Sequence, residues 1–280
     1  MKKTDEFRGK TVVITGGGGI LCQSFARTLA ERGARVAILD LNGEAARAVA
    51  QEILAAGGEA LGVEANVLDA DSLKRAHEAI SIAFGPCDIL INGAGGNHPK
   101  GTTSQEYLLK EHLKEEAVTT FFDLDPVGIQ FVFDLNFLGT FLPTREFALD
   151  MVEKEQGVVL NVSSMSSLRP LTRIPAYSGA KSAVSNFTQW LAVYFAKVGI
   201  RVNALAPGFF LTDQNRSLLT SEDGGLTARG NTIIAHTPMQ RFGTAADLDG
   251  ALLWLCGSDS AFVTGVVIPI DGGFSAYSGV

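Results

Sequence analysis

A tyrosine and a lysine stand four residues apart in the segment AYSGAKSA (176–183), whose other residues are small. On a helix, positions i and i+4 share one face about 5–6 Å apart, so Tyr177 and Lys181 can share a pocket. A phenol with a pKa of about 10 is a poor base at neutral pH, but a nearby ammonium group lowers that pKa. The pair can therefore exchange a proton with a substrate hydroxyl, although this spacing also arises by chance.

A glycine run, TGGGGIL at 15–21, is a second candidate site because it lies between an apolar stretch and an amphipathic segment. Glycines let the backbone approach a pyrophosphate, and the N-terminus of the following helix supplies N–H donors. Asp40 ends the next apolar stretch, where its carboxylate can accept hydrogen bonds from an adenine ribose. This order favours dinucleotide binding over a flexible turn. Asp40 also favours NAD over NADP, because it repels a 2′-phosphate.

Short apolar runs alternate with longer segments of helical period, which predicts a parallel sheet with helices on both faces. Asp69 or Asp71 is predicted to cap one of these helices. We expect a single α/β domain over 1–280. The strand candidates are TVVIT (11–15), RVAIL (35–39), ALGVEA (60–65), DILIN (88–92), GVVLNV (157–162), IRVNAL (200–205) and GVVIPI (265–270).

Two long excursions interrupt this alternation, an insertion at about 96–126 and a loop at about 209–243. Both follow the carboxyl ends of predicted strands, which is the edge of a doubly wound sheet where ligands bind. We expect the first excursion to be an ordered wall of the substrate site, with a carboxylate site near His98 and Lys100. The competing interpretation is a charged surface lid, since KEHLKEE is typical of a solvated helix face.

The composition excludes several classes of protein. A net charge of −7 argues against a nucleic-acid or anionic-membrane surface, which needs clustered Lys and Arg. Cys22, Cys87 and Cys256 are odd in number and far apart, so we expect reduced thiols, no disulfide and no metal site. His77 and His112 lie on predicted helices among charged residues and are predicted to be solvated.

The first residues, MKKTDEFRGKTVVITGG, have acidic and polar side chains where a signal peptide needs about 7–15 apolar residues. No stretch reaches the roughly 18 apolar residues of a membrane helix. We therefore expect a cytoplasmic protein without a membrane partner.

Six short motifs occur in a fixed order: TGGGGIL, NGAG (92–95), NVSS (161–164), YSGAK (177–181), APG (206–208) and DGG (271–273). With these motifs the chain resembles the short-chain dehydrogenase/reductase family from Lys10 to the end. The resemblance implies a doubly wound Rossmann domain with a seven-stranded parallel sheet ordered 3-2-1-4-5-6-7. It also implies NAD(P)-dependent chemistry on CH–OH groups, and a homotetramer. The helix from about Pro126 to Lys154 and the tail FSAYSGV suit its interfaces.

The resemblance places the family's catalytic tetrad on Asn136, Ser164, Tyr177 and Lys181. Ser164 is chosen over Ser163 because it lies 13 residues before Tyr177. Ser164 would donate a hydrogen bond to the substrate carbonyl, and Lys181 would bind the nicotinamide ribose. Asn136 would hold a water in a kinked helix, or else would bond only to its own backbone.

The positions that the resemblance places on the dinucleotide are Gly16, Gly18, Gly19, Ile20, Asp40, Asn66, Val67, Asn92, Gly93, Ala94, Tyr177, Lys181, Pro207, Gly208, Phe210 and Thr212. Thr212 can instead cap a helix.

The glycine motif is one residue shorter than usual, and Leu21 or Cys22 takes the place of its last glycine. Asn66 replaces the common aspartate, and Gly93 replaces alanine, which we predict to be neutral. Phe121–Phe122 and Phe209–Phe210 are predicted loop anchors and core residues.

Within the family the chain is similar to the D-mannonate oxidoreductase (fructuronate reductase) branch, through GNHPKGTT (96–103) and FFDLDPVGIQFVFDLNFLGTF (121–141). A sugar acid needs a cation for its carboxylate and polar groups for its hydroxyls. The alternatives are a reductase of another ketone, such as a gluconate-type keto acid or a 3-oxoacyl substrate, and a non-catalytic dinucleotide-binding regulator. The candidate substrate residues are Asn97, His98, Lys100, Arg169, Arg173 and Asn215.

Overall fold

The computed structural model describes residues 6–211, 216–221 and 224–279. Within them, one parallel sheet has the order β3-β2-β1-β4-β5-β6-β7, as predicted. Each predicted strand is present, and its ends shift by no more than two residues. The strands are β1 (Thr11–Thr15), β2 (Arg35–Asp40), β3 (Glu59–Glu64), β4 (Ile89–Asn92), β5 (Gly157–Val162), β6 (Ile200–Pro207) and β7 (Val267–Ile270).

Some of the helices begin where a side chain accepts their first free N–H groups. Asn42 caps α2 by accepting from the N–H groups of Glu44 and Ala45. Asp69, rather than Asp71, caps α3. The α-helices are α1 (Ile20–Ala30), α2 (Gly43–Ala55), α3 (Ala70–Phe84), α4 (Pro126–Phe133), α5 (Gly139–Glu153), α6 (Pro175–Phe195), α7 (Arg216–Leu219), α8 (Ala228–Ala235) and α9 (Ala246–Cys256).

The core has two parts, one on each face of the sheet. Alternation along β1 sends Val12 and Ile14 to the face covered by α1, α2 and α9, and Val13 to the face covered by α3, α5 and α6. Because β1 pairs with both β2 and β4, the chain reverses its winding direction between β1 and β4. A crevice is therefore expected at the carboxyl ends of these two strands.

A polar ladder crosses the sheet just below that edge. The Nδ2 of Asn92 donates to Thr144 Oγ1 and to Asn161 Oδ1, both at 2.9 Å. The Nδ2 of Asn161 donates to Thr188 Oγ1 at 2.8 Å. These buried bonds join β4 and β5 to α5 and α6. The side chain of Asn92, predicted to contact the dinucleotide, is thus engaged inside the fold.

The helix predicted from Pro126 to Lys154 is interrupted. A π-helical turn at Asp134–Leu138 separates α4 from α5, and Asn136 lies in its middle, fully buried. The hydroxyl of Thr140 donates to the Asn136 carbonyl at 2.8 Å and satisfies a backbone group in this irregular turn. The regular α-helical pattern is therefore interrupted at Asn136.

His77 was predicted to be solvated, and this prediction is wrong. Its side chain is 16% exposed and lies between α3 and α5, with Nδ1 2.9 Å from Glu146 Oε1 and Nε2 3.0 Å from Asp150 Oδ2. Asp150 also accepts a 2.7 Å hydrogen bond from the Cys87 N–H. The two carboxylates stand on α5, one helical turn apart, and neither was visible as a partner of His77 from local sequence.

None of the described helices is both long enough and apolar enough to cross a membrane. In the same part of the chain, no three or more His, Cys, Asp or Glu side chains are arranged to hold a metal ion.

Candidate active site

The predicted catalytic side chains meet at the carboxyl edge of the sheet. Ser164 follows β5, while Tyr177 and Lys181 lie in the first two turns of α6. Lys181 is almost fully buried, and its Nζ lies 5.7 Å from the centre of the Tyr177 ring. The same Nζ donates to the Val162 carbonyl at 2.8 Å, which fixes it beside the end of β5.

Two neighbouring serines have different surroundings. Ser164 Oγ is hydrogen-bonded to Tyr177 and accepts from the N–H and the hydroxyl of Ser166. Ser163 Oγ instead donates to the Lys181 carbonyl at 3.2 Å and lies 2.7 Å from Ser185 Oγ. The geometry supports Ser164 as the partner of the phenol. Ser166, which sequence reasoning did not single out, orients that partner.

Burial controls the proton affinities of the pair. Burial raises the pKa of Tyr177, and its hydrogen bond with Ser164 only partly opposes this. Burial also lowers the pKa of Lys181 to about 8. The expectation that Lys181 lowers the pKa of Tyr177 does not describe this state, because both groups are desolvated and each is driven towards its neutral form.

Asn136 joins the π-helical turn to the segment after β4. Its Nδ2 donates to the carbonyls of Gly96 and Val132, both at 2.7 Å, so it bonds to its own helix and across to another element. A Cβ at Gly95 would lie 2.6 Å from Asn136 Oδ1 and 3.0 Å from Lys181 Nζ. Gly95 therefore lets Asn136 and Lys181 approach each other, a requirement that the motif NGAG alone did not reveal.

A cleft of about 520 Å³ opens beside these residues, at the crevice between β1 and β4. Nine of the predicted dinucleotide residues line it: Gly16, Gly18, Gly19, Ile20, Asp40, Asn66, Val67, Gly93 and Ala94. Sequence reasoning missed the remaining lining residues: Leu21, Cys22, Leu41, Ala65, Gly95, Leu135 and Val162. Most of these belong to or adjoin a motif, Val162 lying within NVSS, but Leu135 is outside the six ordered motifs and arrives from a distant element.

The glycine loop has the shape that a pyrophosphate needs. Gly16 has φ +62, and a Cβ on it would lie 2.8 Å from the backbone of Ala94. No side chain caps the start of α1, so its first N–H groups can serve an anion. Asp40 Oδ2 accepts from the Gly18 N–H at 3.0 Å, and Oδ1 accepts from the Asn42 N–H at 2.9 Å. The residues present therefore fit a dinucleotide.

The segment after β6 is anchored by aromatic side chains. Phe210 is 4% exposed and belongs to the core, and Phe209 packs edge-on against Phe274 with ring centres 5.2 Å apart. Gly208 continues the pairing of β6 after Pro207, since its N–H donates to the Ile270 carbonyl at 2.9 Å. The anchoring prediction is confirmed for this pair. It is wrong for Phe121–Phe122, whose side chains are exposed.

Most candidate substrate residues already have partners. Lys100 Nζ forms a 2.9 Å ion pair with Asp125 and the side chain is 59% exposed, so its charge is largely neutralised. His98 accepts from the Lys100 N–H, and Asn97 donates to Thr102. Arg169 is exposed, with one 3.5 Å contact to the Tyr277 carbonyl. Arg173 is the exception, because its buried Nε makes no hydrogen bond. Thr212 and Asn215 lie outside the described residues.

Comparison with known proteins identifies the family. Residues 10–223 match the short chain dehydrogenase family model. The chain is 56% identical over 272 residues to an uncharacterized oxidoreductase of Haemophilus influenzae, covering 97% of this chain and 95% of that protein. It is 52% identical over 279 residues to an uncharacterized oxidoreductase of Bacillus subtilis, UxuB, covering 99% and 98%.

A crystal structure with bound NAD, of a Haemophilus influenzae protein designated a candidate D-mannonate oxidoreductase, superposes with a TM-score of 0.93 at 55% identity. The match covers 98% of this chain and 97% of that one. The chain belongs to the short-chain dehydrogenase family. It is an oxidoreductase that acts on CH–OH groups.

Proposed function

We propose that the chain is an NAD-dependent oxidoreductase that interconverts a hydroxyl and a ketone of a sugar acid, with D-mannonate and D-fructuronate as the favoured pair. The observation that carries the proposal is the meeting of Ser164 and Tyr177 beside the glycine-lined cleft. The similarity to the NAD-bound candidate D-mannonate oxidoreductase supports the cofactor and the substrate.

The cleft offers a distinct group to each part of the dinucleotide. The N–H groups at the start of α1 would hold the pyrophosphate, and the carboxylate of Asp40 would accept hydrogen bonds from the adenine ribose hydroxyls. Asn66 still has an acceptor site for the adenine amine, although its Oδ1 already accepts from the Leu68 N–H. When bound, the nicotinamide accepts or supplies the hydride.

Tyr177 moves the proton in this proposal. In oxidation the phenolate form of Tyr177, which the positive charge of a bound oxidised nicotinamide would favour, takes the proton from the substrate hydroxyl. In reduction the phenol returns a proton to the carbonyl oxygen. Ser164 donates a hydrogen bond to the same substrate oxygen and keeps it near Tyr177 as negative charge develops. Lys181 binds the nicotinamide ribose, and Asn136 positions a water that relays the proton.

A homotetramer is part of the proposal, because α6 carries an exposed aromatic face. Phe187, Trp190 and Tyr194 stack along it, with ring planes 10° and 13° apart, and Trp190 and Tyr194 are more than half exposed. Phe141 on the neighbouring α5 extends this face, with its ring centre 5.9 Å from that of Phe187. Contiguous apolar surface of this kind is typical of protein interfaces.

A substrate panel with NAD and NADP, followed at the absorbance of the reduced nicotinamide, tests the proposal. D-Mannonate with NAD is expected to give the highest kcat/KM among aldonates, hydroxyacyl esters and simple alcohols. A higher kcat/KM for gluconate or a hydroxyacyl ester would make that compound the assigned substrate instead of D-mannonate. A higher kcat/KM with NADP would make NADP the assigned cofactor. No turnover with any member would contradict the sugar-acid assignment.

A further inference from the structure

Three segments that follow neighbouring strands bring charged side chains together, and one of them leads into the helix α6 that carries Tyr177. Arg173 lies between β5 and α6, Arg229 lies on α8 in the excursion after β6, and Glu106 lies in the excursion after β4. The Thr103 N–H donates to the Arg173 carbonyl at 2.8 Å and ties the first excursion to this segment. The charges of Arg173 and Glu106 both act on the guanidinium of Arg229.

One of the two arginines has a buried donor without a partner. The Nε of Arg173 is buried and makes no hydrogen bond. Burial lowers the pKa of Arg229, the positive charge of Arg173 lowers it further, and Glu106 only partly opposes this. Two half-buried guanidinium groups that repel each other are an unusual arrangement without an anion between them.

The backbone of Arg173 is strained in a way that keeps its side chain in place. Its φ is +71, in the left-handed region that residues with a Cβ rarely adopt. Two residues later Pro175 begins α6, whose first turn contains Tyr177. Strain of this kind persists where the surrounding structure imposes it, and it clusters at ligand sites.

We propose that Arg173 and Arg229 form an anion subsite that binds the carboxylate of the polyhydroxy-acid substrate while its hydroxyl carbon faces Tyr177. The proposal rests on the function proposed above and adds the residues that select an acid. A planar guanidinium can donate two parallel hydrogen bonds to a carboxylate, and two of them can hold both of its oxygens. Lys100 is a weaker candidate because Asp125 already neutralises it.

The charge of the cluster favours a carboxylate over a phosphate. Two guanidinium groups and the carboxylate of Glu106 leave one net positive charge, which one carboxylate neutralises. A phosphate monoester carries about −1.5 to −2 at neutral pH and would leave an excess of negative charge at a half-buried site. The subsite therefore fits a sugar acid better than a sugar phosphate.

The test compares D-mannonate with its neutral amide, D-mannonamide, in the NAD-loaded enzyme. Arg173→Asn and Arg229→Gln are each expected to lower kcat/KM for D-mannonate about 10- to 100-fold, the range of lost charge-assisted hydrogen bonds. Both are expected to leave kcat/KM for the amide within about twofold, because the amide does not need the positive charge. Asparagine tolerates a positive φ, so Arg173→Asn is expected to keep the melting temperature of the wild type.

Arg169→Gln is the matched control, since Arg169 lies on the same segment but is exposed. If the two subsite variants behave like Arg169→Gln while the wild type oxidises D-mannonate, the subsite is wrong and the proposed function stands. If the wild type oxidises neither compound, calorimetric titration with D-mannonate decides. If D-mannonate binds and Arg173→Asn weakens that binding, the anion subsite stands but the proposed reaction does not. If D-mannonate does not bind, both the subsite and the proposed function are contradicted. Tighter binding of mannose 6-phosphate than of D-mannonate would overturn the carboxylate assignment.

Discussion

The sulfur of Cys22 fills the space that a side chain at Gly93 would need. A Cβ built on Gly93 would overlap Cys22 Sγ and would lie 2.8 Å from the Thr15 carbonyl oxygen. Cys22 stands near the place of the family's last motif glycine, and Gly93 stands where alanine is usual. The glycine at position 93 is therefore coupled to Cys22, because the larger residue on α1 and the smaller one after β4 compensate each other.

Gly93→Ala is expected to destabilise the protein by about 1–3 kcal/mol, the usual effect of overpacking a buried contact. Adding Cys22→Ala should restore part of that loss, although the contact with Thr15 remains. Urea denaturation of the two single variants and the double variant measures the coupling. Strictly additive changes would show that Cys22 is not what excludes a side chain at position 93.

Tyr177→Phe is expected to lower kcat at least about 100-fold while NAD binding is unchanged, because it removes the proton donor and keeps the ring. Steady-state kinetics and calorimetric titration with NAD measure the two effects. Ser164→Ala should also reduce kcat strongly, whereas Ser163→Ala should do so much less, since Ser163 bonds to Lys181 O and Ser185. Equal losses from the two serine variants would contradict the assignment of Ser164.

Asp40→Ala combined with Leu41→Arg is expected to shift the ratio of kcat/KM values from NAD towards NADP. The change removes the carboxylate that repels a 2′-phosphate and adds a cation, and Leu41 is 72% exposed, so an arginine fits there. Leu41→Arg alone is the control for the added charge. An unchanged ratio in the double variant would show that Asp40 does not set the preference.

The stability of the protein is expected to depend on His77. Burial opposes its charge, but hydrogen bonds to Glu146 and Asp150 outweigh burial and raise the pKa of His77. Its contribution, about 1–3 kcal/mol for charge-assisted bonds, should be complete below the unfolded pKa of about 6.5 and lost as pH rises through the folded pKa.

Melting temperatures measured across this pH range test that expectation. His77→Gln should show a weaker fall with rising pH than the wild type, because glutamine cannot carry the charge. His112→Gln is the control, since the Nδ1 of His112 accepts a hydrogen bond from the Leu109 N–H instead of bonding to a carboxylate. Parallel curves for the wild type and His77→Gln would rule out this ion-paired histidine as the source of the dependence.

Trp190→Glu is expected to convert the proposed homotetramer into a smaller species, because it places a charge in the middle of the aromatic face of α6. Light scattering at micromolar concentration should give about four chain masses for the wild type. Glu153→Gln, a change outside the aromatic stack, is the control. A wild-type mass near one chain would refute the tetramer.

Local patterns were sufficient to predict the sheet and much of the site. Apolar runs and glycine stops depend on near neighbours, so β1 to β7 appeared close to their observed positions. Resemblance through ordered motifs added the strand order and the positions of Ser164, Tyr177 and Lys181. Nine residues of the cleft followed in the same way, because each belongs to a motif or to a position that the resemblance places on the dinucleotide.

Other features were decided by which distant residues meet. Cys22 and Gly93 constrain each other across two elements, and His77 gains its carboxylates from α5. Arg173 and Arg229 are more than fifty residues apart in the sequence. Their mutual repulsion and their desolvation arise only when the fold brings their segments together. Sequence determines which groups are available, but their burial and partners, and therefore their charge and reactivity, exist only once the chain has packed.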